Sequence, residues 1–142
     1  NPELLALAEN SDPKSVDLMM DFAHGPSGHF GGHPVPGLYH LNTGSMLVQS
    51  KEIKDTLGVD FRACENYTNG YEAAKKLDLP TLSILADKDR MCRLKDGQKL
   101  ADHINGSEVH VIKNCGHMML LEEADQTLAI LKKFILEKYP IS

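Results

Sequence analysis

Long apolar runs are missing from this chain. None approaches the roughly 20 residues that a bilayer-spanning helix requires, and no basic-then-apolar stretch opens the sequence, so neither a membrane span nor a secretion leader is expected. Cysteine is scarce. Cys64, Cys92 and Cys115 are odd in number and have no metal-site spacing, which favours reduced thiols in a cytoplasm. Positive charge is not in excess: the formal net charge is -5 with acids and bases interleaved, so no face suits phosphate backbones and nucleic acid is not an expected partner. There is no internal repeat and no low-complexity tail. What remains is ordinary globular material. The 142 residues, 42% of them hydrophobic, suffice for one core, and a domain of that size buries about two-thirds of its unfolded surface.

The most informative stretch runs from Pro80 to Glu122. Two short apolar runs, Thr81 to Ala86 and Val109 to Asn114, are each followed by polar residues able to do acid-base chemistry. Between them Leu94, Gly97, Leu100, Ala101 and Ile104 recur at three- and four-residue steps, which is one face of a helix. The order is strand, helix, strand, and a crossover of that length joins parallel strands. Asp89 then falls just beyond the C-terminal end of the first strand and His117 just beyond that of the second, the edge where open parallel sheets place their chemistry. A lone Asp or His is ordinarily a surface acid or a hydrogen-bonded structural group. Placement on loops leaving consecutive parallel strands is what lifts these two. An acid that accepts from one imidazole nitrogen fixes the tautomer and leaves the other nitrogen free to take a proton.

A strand opened by Pro80-Thr81, the exit Ala86-Asp87-Lys88-Asp89, and Gly116-His117 with Glu122 five positions on make residues 77 to 138 resemble the C-terminal half of an α/β-hydrolase. In that family the triad runs nucleophile, acid, histidine along the chain, so the resemblance implies Asp89 as triad acid and His117 as triad base. Ala86 stands where the family usually has glycine, and Ala124 where it often has proline. Upstream, Asp60 to Cys64, Tyr67 and the Pro36-Gly37-Leu38 turn look like the cap region of small bacterial hydrolases. The implied fold class is α/β: two parallel strands with a crossover helix and a C-terminal helix over 77–142, preceded by a mostly helical cap over 1–76. Asp87 is a rival acid, read as facing solvent. His110 reads as structural within its strand, and Glu122 as a support for the His117 loop or a helix-start residue.

The remaining chain reads mostly as helix. It opens at Asn1 on a helix already under way, with Pro2 in the first turn, as at a cut end. Ser11-Asp12-Pro13 starts a second helix that Gly25 ends. From His24 to Gly44 six glycines, three prolines and four histidines argue for an ordered loop. Leu47 to Leu57 reads as a short helix ended by Gly58. Asp60 then caps a segment whose stripe is Phe61, Cys64, Tyr67, Tyr71, Ala74 and Leu77, with Cys64 and the tyrosines read as packing. Asp125 to Tyr139 is the last helix, with Leu128, Leu131, Ile135 and Tyr139 expected to cover the strand pair and lysines complementing its C-terminal dipole.

No Gly-x-Ser-x-Gly occurs, and Thr43-Gly44-Ser45-Met46, which lacks the second glycine and a preceding strand, is not taken as a nucleophile motif. The expectation is a fragment of a serine hydrolase that supplies the acid and the histidine but not the nucleophile, and is inactive alone. The parent would cleave an ester or similar carbonyl of a small hydrophobic acyl substrate, a pocket hinted at by Met19, Met20, Met46, Met118 and Met119. The alternatives are a dehalogenase- or epoxide-hydrolase-like enzyme with an Asp nucleophile, or a noncatalytic interaction module. The expected partner is the N-terminal half of the same hydrolase, or a second copy of this chain in a dimer, because two strands alone are marginal and expose an edge. No cofactor is expected. Nor is a metal: His24, His29, His33 and His40 are spaced by five, four and seven with no cysteine or acid in the loop, which fits no zinc signature. Dialysis against a weak chelator is expected to leave no zinc, and a stoichiometric residue of the metal would contradict that reading of the four histidines.

Overall fold

The computed structural model describes residues 1–26 and 56–140. They form two compact units, one comprising 1–22 and 56–68, the other 23–26 and 69–140.

In the first unit the opening helix α1, Pro2–Glu9, is not already running at Asn1. The Asn1 side chain caps it, accepting from the N–H groups of Glu3 at 3.0 Å and Leu4 at 3.3 Å, and Pro2 sits where its missing N–H costs nothing. Helix α2, Lys14–Ala23, begins beside Asp12, whose Oδ1 accepts from Lys14 N–H at 2.9 Å. Ser15 and Val16 are its buried residues in this unit. Helix α3, Thr56–Asn66, overturns two expectations. Gly58 does not end a helix and Asp60 does not start one; both lie inside α3. The reason is packing. A Cβ on Gly58 would come within 2.8 Å of Glu9 Cα and 3.0 Å of Ala8 O, so the bare glycine lets α3 pass against the backbone of α1. Arg62 joins the two helices through its ion pair to Glu9 and is also paired with Glu65 on its own helix. Cys64 and Tyr67, expected to pack, are exposed.

The second unit contains α4, Gly70–Ala74, then β1, Leu82–Ala86, α5, Leu94–Ala101, β2, Glu108–Ile112, α6, Met119–Glu122, and α7, Ala124–Lys138. β1 and β2 are parallel and pair from Leu82 with Glu108 through to Ala86 with Ile112, so both strands end at the same level. Leu, Ile and Val dominate both strands, the residue types that fit a pleated surface. Ala86, Ile112 and Cys115 are the buried centre, with Ile84, Met119 and Ile130 packed on it. Met119 is thus core material and not pocket lining. Gly97 lets α5 approach β1, because a Cβ there would meet the Leu85 side chain at 2.7 Å. Leu100, expected on that face, is exposed.

Helix α7 packs on both strands, but with a different face from the one expected. Thr127 is buried and Ile130 reaches the core, while Leu128, Leu131, Ile135 and Tyr139 are exposed. Thr127 Oγ1 donates to Met119 O and Glu123 O, at 3.2 and 2.8 Å, and this polar residue therefore fixes the helix's rotation. Ile112→Ala is expected to cost roughly 2–5 kcal/mol, the range for truncating a fully buried aliphatic side chain. Urea unfolding followed by circular dichroism measures it, and a loss well below that range would mean that the β1–β2 core is not the stability centre of this unit.

Candidate active site

Because β1 and β2 end in register, the loops that leave them emerge side by side. Two backbone bonds beyond the strands keep them together: Asp87 N–H donates to Ile112 O at 3.1 Å, and Lys88 N–H to Cys115 O at 2.9 Å. β2 stops at Ile112 and does not run to Asn114. Asn114 has φ 55, a left-handed conformation that Asn tolerates better than most residues, and it turns the chain from the strand into the segment carrying Gly116 and His117.

Asp89 is almost fully buried, its side chain 5% exposed, and both of its carboxylate oxygens are engaged. Oδ1 accepts from the N–H groups of Met91 and Cys92, both at 2.8 Å, which closes a tight turn around the carboxylate. Oδ2 lies 2.9 Å from His117 Nδ1. The carboxylate can only accept, so Nδ1 carries the proton and Nε2 presents its lone pair. The His117 side chain is 42% exposed. The buried acid orients a half-open imidazole, a geometry that holds the tautomer for proton transfer at Nε2.

The backbone beneath His117 is held from the other side by residues 23–25. Ala23 O accepts from the N–H of His117 at 2.7 Å and of Met118 at 3.2 Å. Gly25 and Gly116 touch backbone to backbone: a Cβ on either would fall on the amide nitrogen of the other. Glu122 Oε2 accepts from both of these amides, at 3.0 Å from Gly25 and 2.9 Å from Gly116. Glu122 thus supports the loop, as one of its two sequence readings had it, and it ends α6 instead of starting a helix. The role of Gly25 was missed, since a glycine after a helix is accounted for by helix termination alone.

Other candidates fall away. Asp87 is half-buried beside the same cavity edge as Asp89, and its Oδ1 is buried with no hydrogen-bond partner among the described residues, while the His117 imidazole bonds Asp89. His110 stays within β2, opposite Ile84. Tyr71 stacks on His103 at 4.6 Å, with the Lys99 ammonium over its ring. Cys115 is fully buried, and burial, followed by the carboxylates of Glu122, Glu123, Asp87 and Asp89, pushes its thiol up to about 12. Burial, then Asp89 and Asp96, also raises the Cys92 thiol. Neither is a thiolate nucleophile near neutral pH. Among the described residues no group of three or more His, Cys, Asp or Glu could hold a metal ion, and no helix is long and apolar enough to cross a membrane. His29, His33, His40, Ser45 and Met46 lie outside the described residues. Asp89 also lines a cavity of about 480 Å³, together with His24, Gly25, Pro26, Asp87, Lys88 and Arg90.

No family model matches the sequence. Over 74 residues, half of this chain, it is 32% identical to proline iminopeptidase from Lactobacillus crispatus (strain ST1), and the match covers 25% of that protein. Among solved structures, a thermophilic esterase superposes with a TM-score of 0.73 at 26% identity, covering 98% of this chain and 52% of the esterase. MGS-M2, an alpha/beta hydrolase enzyme from a Medee basin deep-sea metagenome library, superposes at 0.78 and 16% identity, covering 94% of this chain and 48% of its own. The chain therefore spans about half the length of these solved structures.

The Cys115 environment has a pH consequence. A folded-state value raised from 9.0 to about 12 keeps the proton on the native thiol while the unfolded thiol gives it up, so the associated stability is complete below pH 9 and is lost as pH rises towards 12. Unfolding midpoints are expected to fall across that window, and to fall less in Cys115→Ala. An equal alkaline loss in both proteins would show that another group is responsible.

Proposed function

We propose, from the premise that this chain carries the C-terminal part of an α/β-hydrolase fold, that Asp89 and His117 are the acid and base of a Ser-His-Asp type triad that hydrolyses an ester or similar carbonyl substrate. The single observation that supports this best is the 2.9 Å approach of His117 Nδ1 to an Asp89 carboxylate already held by two backbone N–H groups. In the first half-reaction, Nε2 of His117 takes the proton from a serine hydroxyl as its oxygen bonds to the carbonyl carbon. Asp89 stabilises the imidazolium and keeps its own charge. The tetrahedral intermediate then collapses, the bond to the alcohol oxygen breaks, and Nε2 returns the proton to that leaving group. Water repeats the sequence on the acyl-enzyme and releases the acid.

The serine and the oxyanion donors are assigned to the N-terminal half of the hydrolase, because no Gly-x-Ser-x-Gly elbow occurs in these 142 residues. For the same reason the chain alone is proposed to be inactive. The edge of β1, unpaired among the described residues, is proposed to pair with further strands of the hydrolase sheet, or with a second copy of this chain when those are absent. A small acyl ester is the proposed substrate class, in line with the esterase likeness.

Fluorophosphonate labelling of the full-length enzyme tests the nucleophile class. Labelling that His117→Ala slows by about 10³-fold or more is expected for a serine whose proton goes to this imidazole. Turnover without labelling would replace the serine by an aspartate nucleophile, and labelling unaffected by His117→Ala would remove His117 from the reaction.

A further inference from the structure

We infer that Glu122 is a positioning residue for His117, acting as a two-amide clamp that fixes the His117 backbone against residues 23–25; this rests on the reading of His117 as the base. Its Oε2 accepts from Gly116 N–H, one residue before His117, and from Gly25 N–H, 97 residues away in the chain. Hydrogen bonds from backbone N–H groups to a carboxylate are about twice as strong as neutral ones. The His117 side chain is too exposed for packing to aim it, so the direction of Nδ1 depends on the backbone that carries it and on Asp89. That backbone is fastened at three consecutive amides: Gly116 to Glu122, and His117 and Met118 to Ala23 O. The two glycines supply the space. With any side chain at position 25 or 116 the two segments separate, and one Oε2 can no longer reach both amides.

The clamp differs from a charge effect in a way that chemistry can separate. Only Oε2 is used, while Oε1 is buried with no hydrogen-bond partner among the described residues. Glutamine can place its amide oxygen at the Oε2 position and its NH2 group at the Oε1 position, keeping both amides satisfied without the charge. Alanine leaves two N–H groups without an acceptor.

Amide exchange and imidazole nitrogen resonances of the 142-residue chain test this with no need for turnover. In the native chain the Gly25 and Gly116 amides are expected to exchange slowly, and His117 to show a single Nδ1–H tautomer. Glu122→Ala is expected to speed both amides by roughly 10- to 100-fold, the worth of a charge-assisted bond, and to mix the His117 tautomers. Glu122→Gln is expected to restore both signatures. Fast exchange at Gly25 in the native chain would overturn the inference whether or not Glu122→Ala folds. So would an unchanged His117 tautomer in Glu122→Ala, or mixed tautomers in a folded Glu122→Gln. If His117 proved dispensable for turnover in the full enzyme, the base assignment would fail while these signatures stood, so the two failures are distinguishable.

Discussion

Parallel pairing of β1 and β2 in register, Ala86 opposite Ile112, decides where everything else can be. Two strands that end level deliver their exit loops to one edge, and the bond from Lys88 N–H to Cys115 O carries the pairing past the strands into those loops. A slip of β2 by one residue would turn Ile112 out of the core that it shares with Ala86. A slip of two would move the histidine loop about 6.5 Å along the strand direction, beyond hydrogen-bond reach of Asp89. The burial of Ile112 and Cys115, the contact of Gly97 with Leu85 and the rotation of α7 about Thr127 all hold that register.

The site itself is built mainly from backbone. Asp89 is fixed by two amides, Glu122 fixes two more, and Ala23 O takes a further two, so six N–H groups orient an acid, an imidazole and the loop between them. Backbone donors have no rotamers to lose, which suits a site that must stay within a few tenths of an ångström. Cys115 lies beneath this arrangement as a buried thiol that burial, and then the carboxylates of Glu122, Glu123, Asp87 and Asp89, keep protonated near neutral pH. It is core material packed with Ala86 and Ile112 and not a reactant.

Much of this was legible in the sequence where one rule acts alone. The strand, helix, strand order followed from two short apolar runs around a helical period, and the pairing of Asp89 with His117 followed from their places beyond the two strands. Errors arose where two features compete. α7 has apolar residues around more than one face, and the choice between the Leu128–Leu131–Ile135 stripe and the Thr127–Ile130 face was made by a buried hydroxyl that hydropathy counts as polar. Gly58 and Gly25 were read as helix punctuation, because the close backbone approaches that need them involve residues far away in the chain. Asp87 and Asp89 are two residues apart and chemically identical in sequence. Only the turn that brings Met91 and Cys92 N–H groups onto one of them separates the two.

That separation has a direct kinetic consequence. Turnover of a short acyl ester by the full-length enzyme, measured for Asp89→Asn and Asp87→Asn side by side, tests it directly. With Asp89 as the partner of His117, its amide variant is expected to lose about 10⁴-fold in kcat, because an asparagine favours the wrong imidazole tautomer, while the Asp87 variant keeps most of its rate. An inactive Asp87→Asn beside a competent Asp89→Asn would contradict the assignment of the acid, and with it the function proposed for the pair.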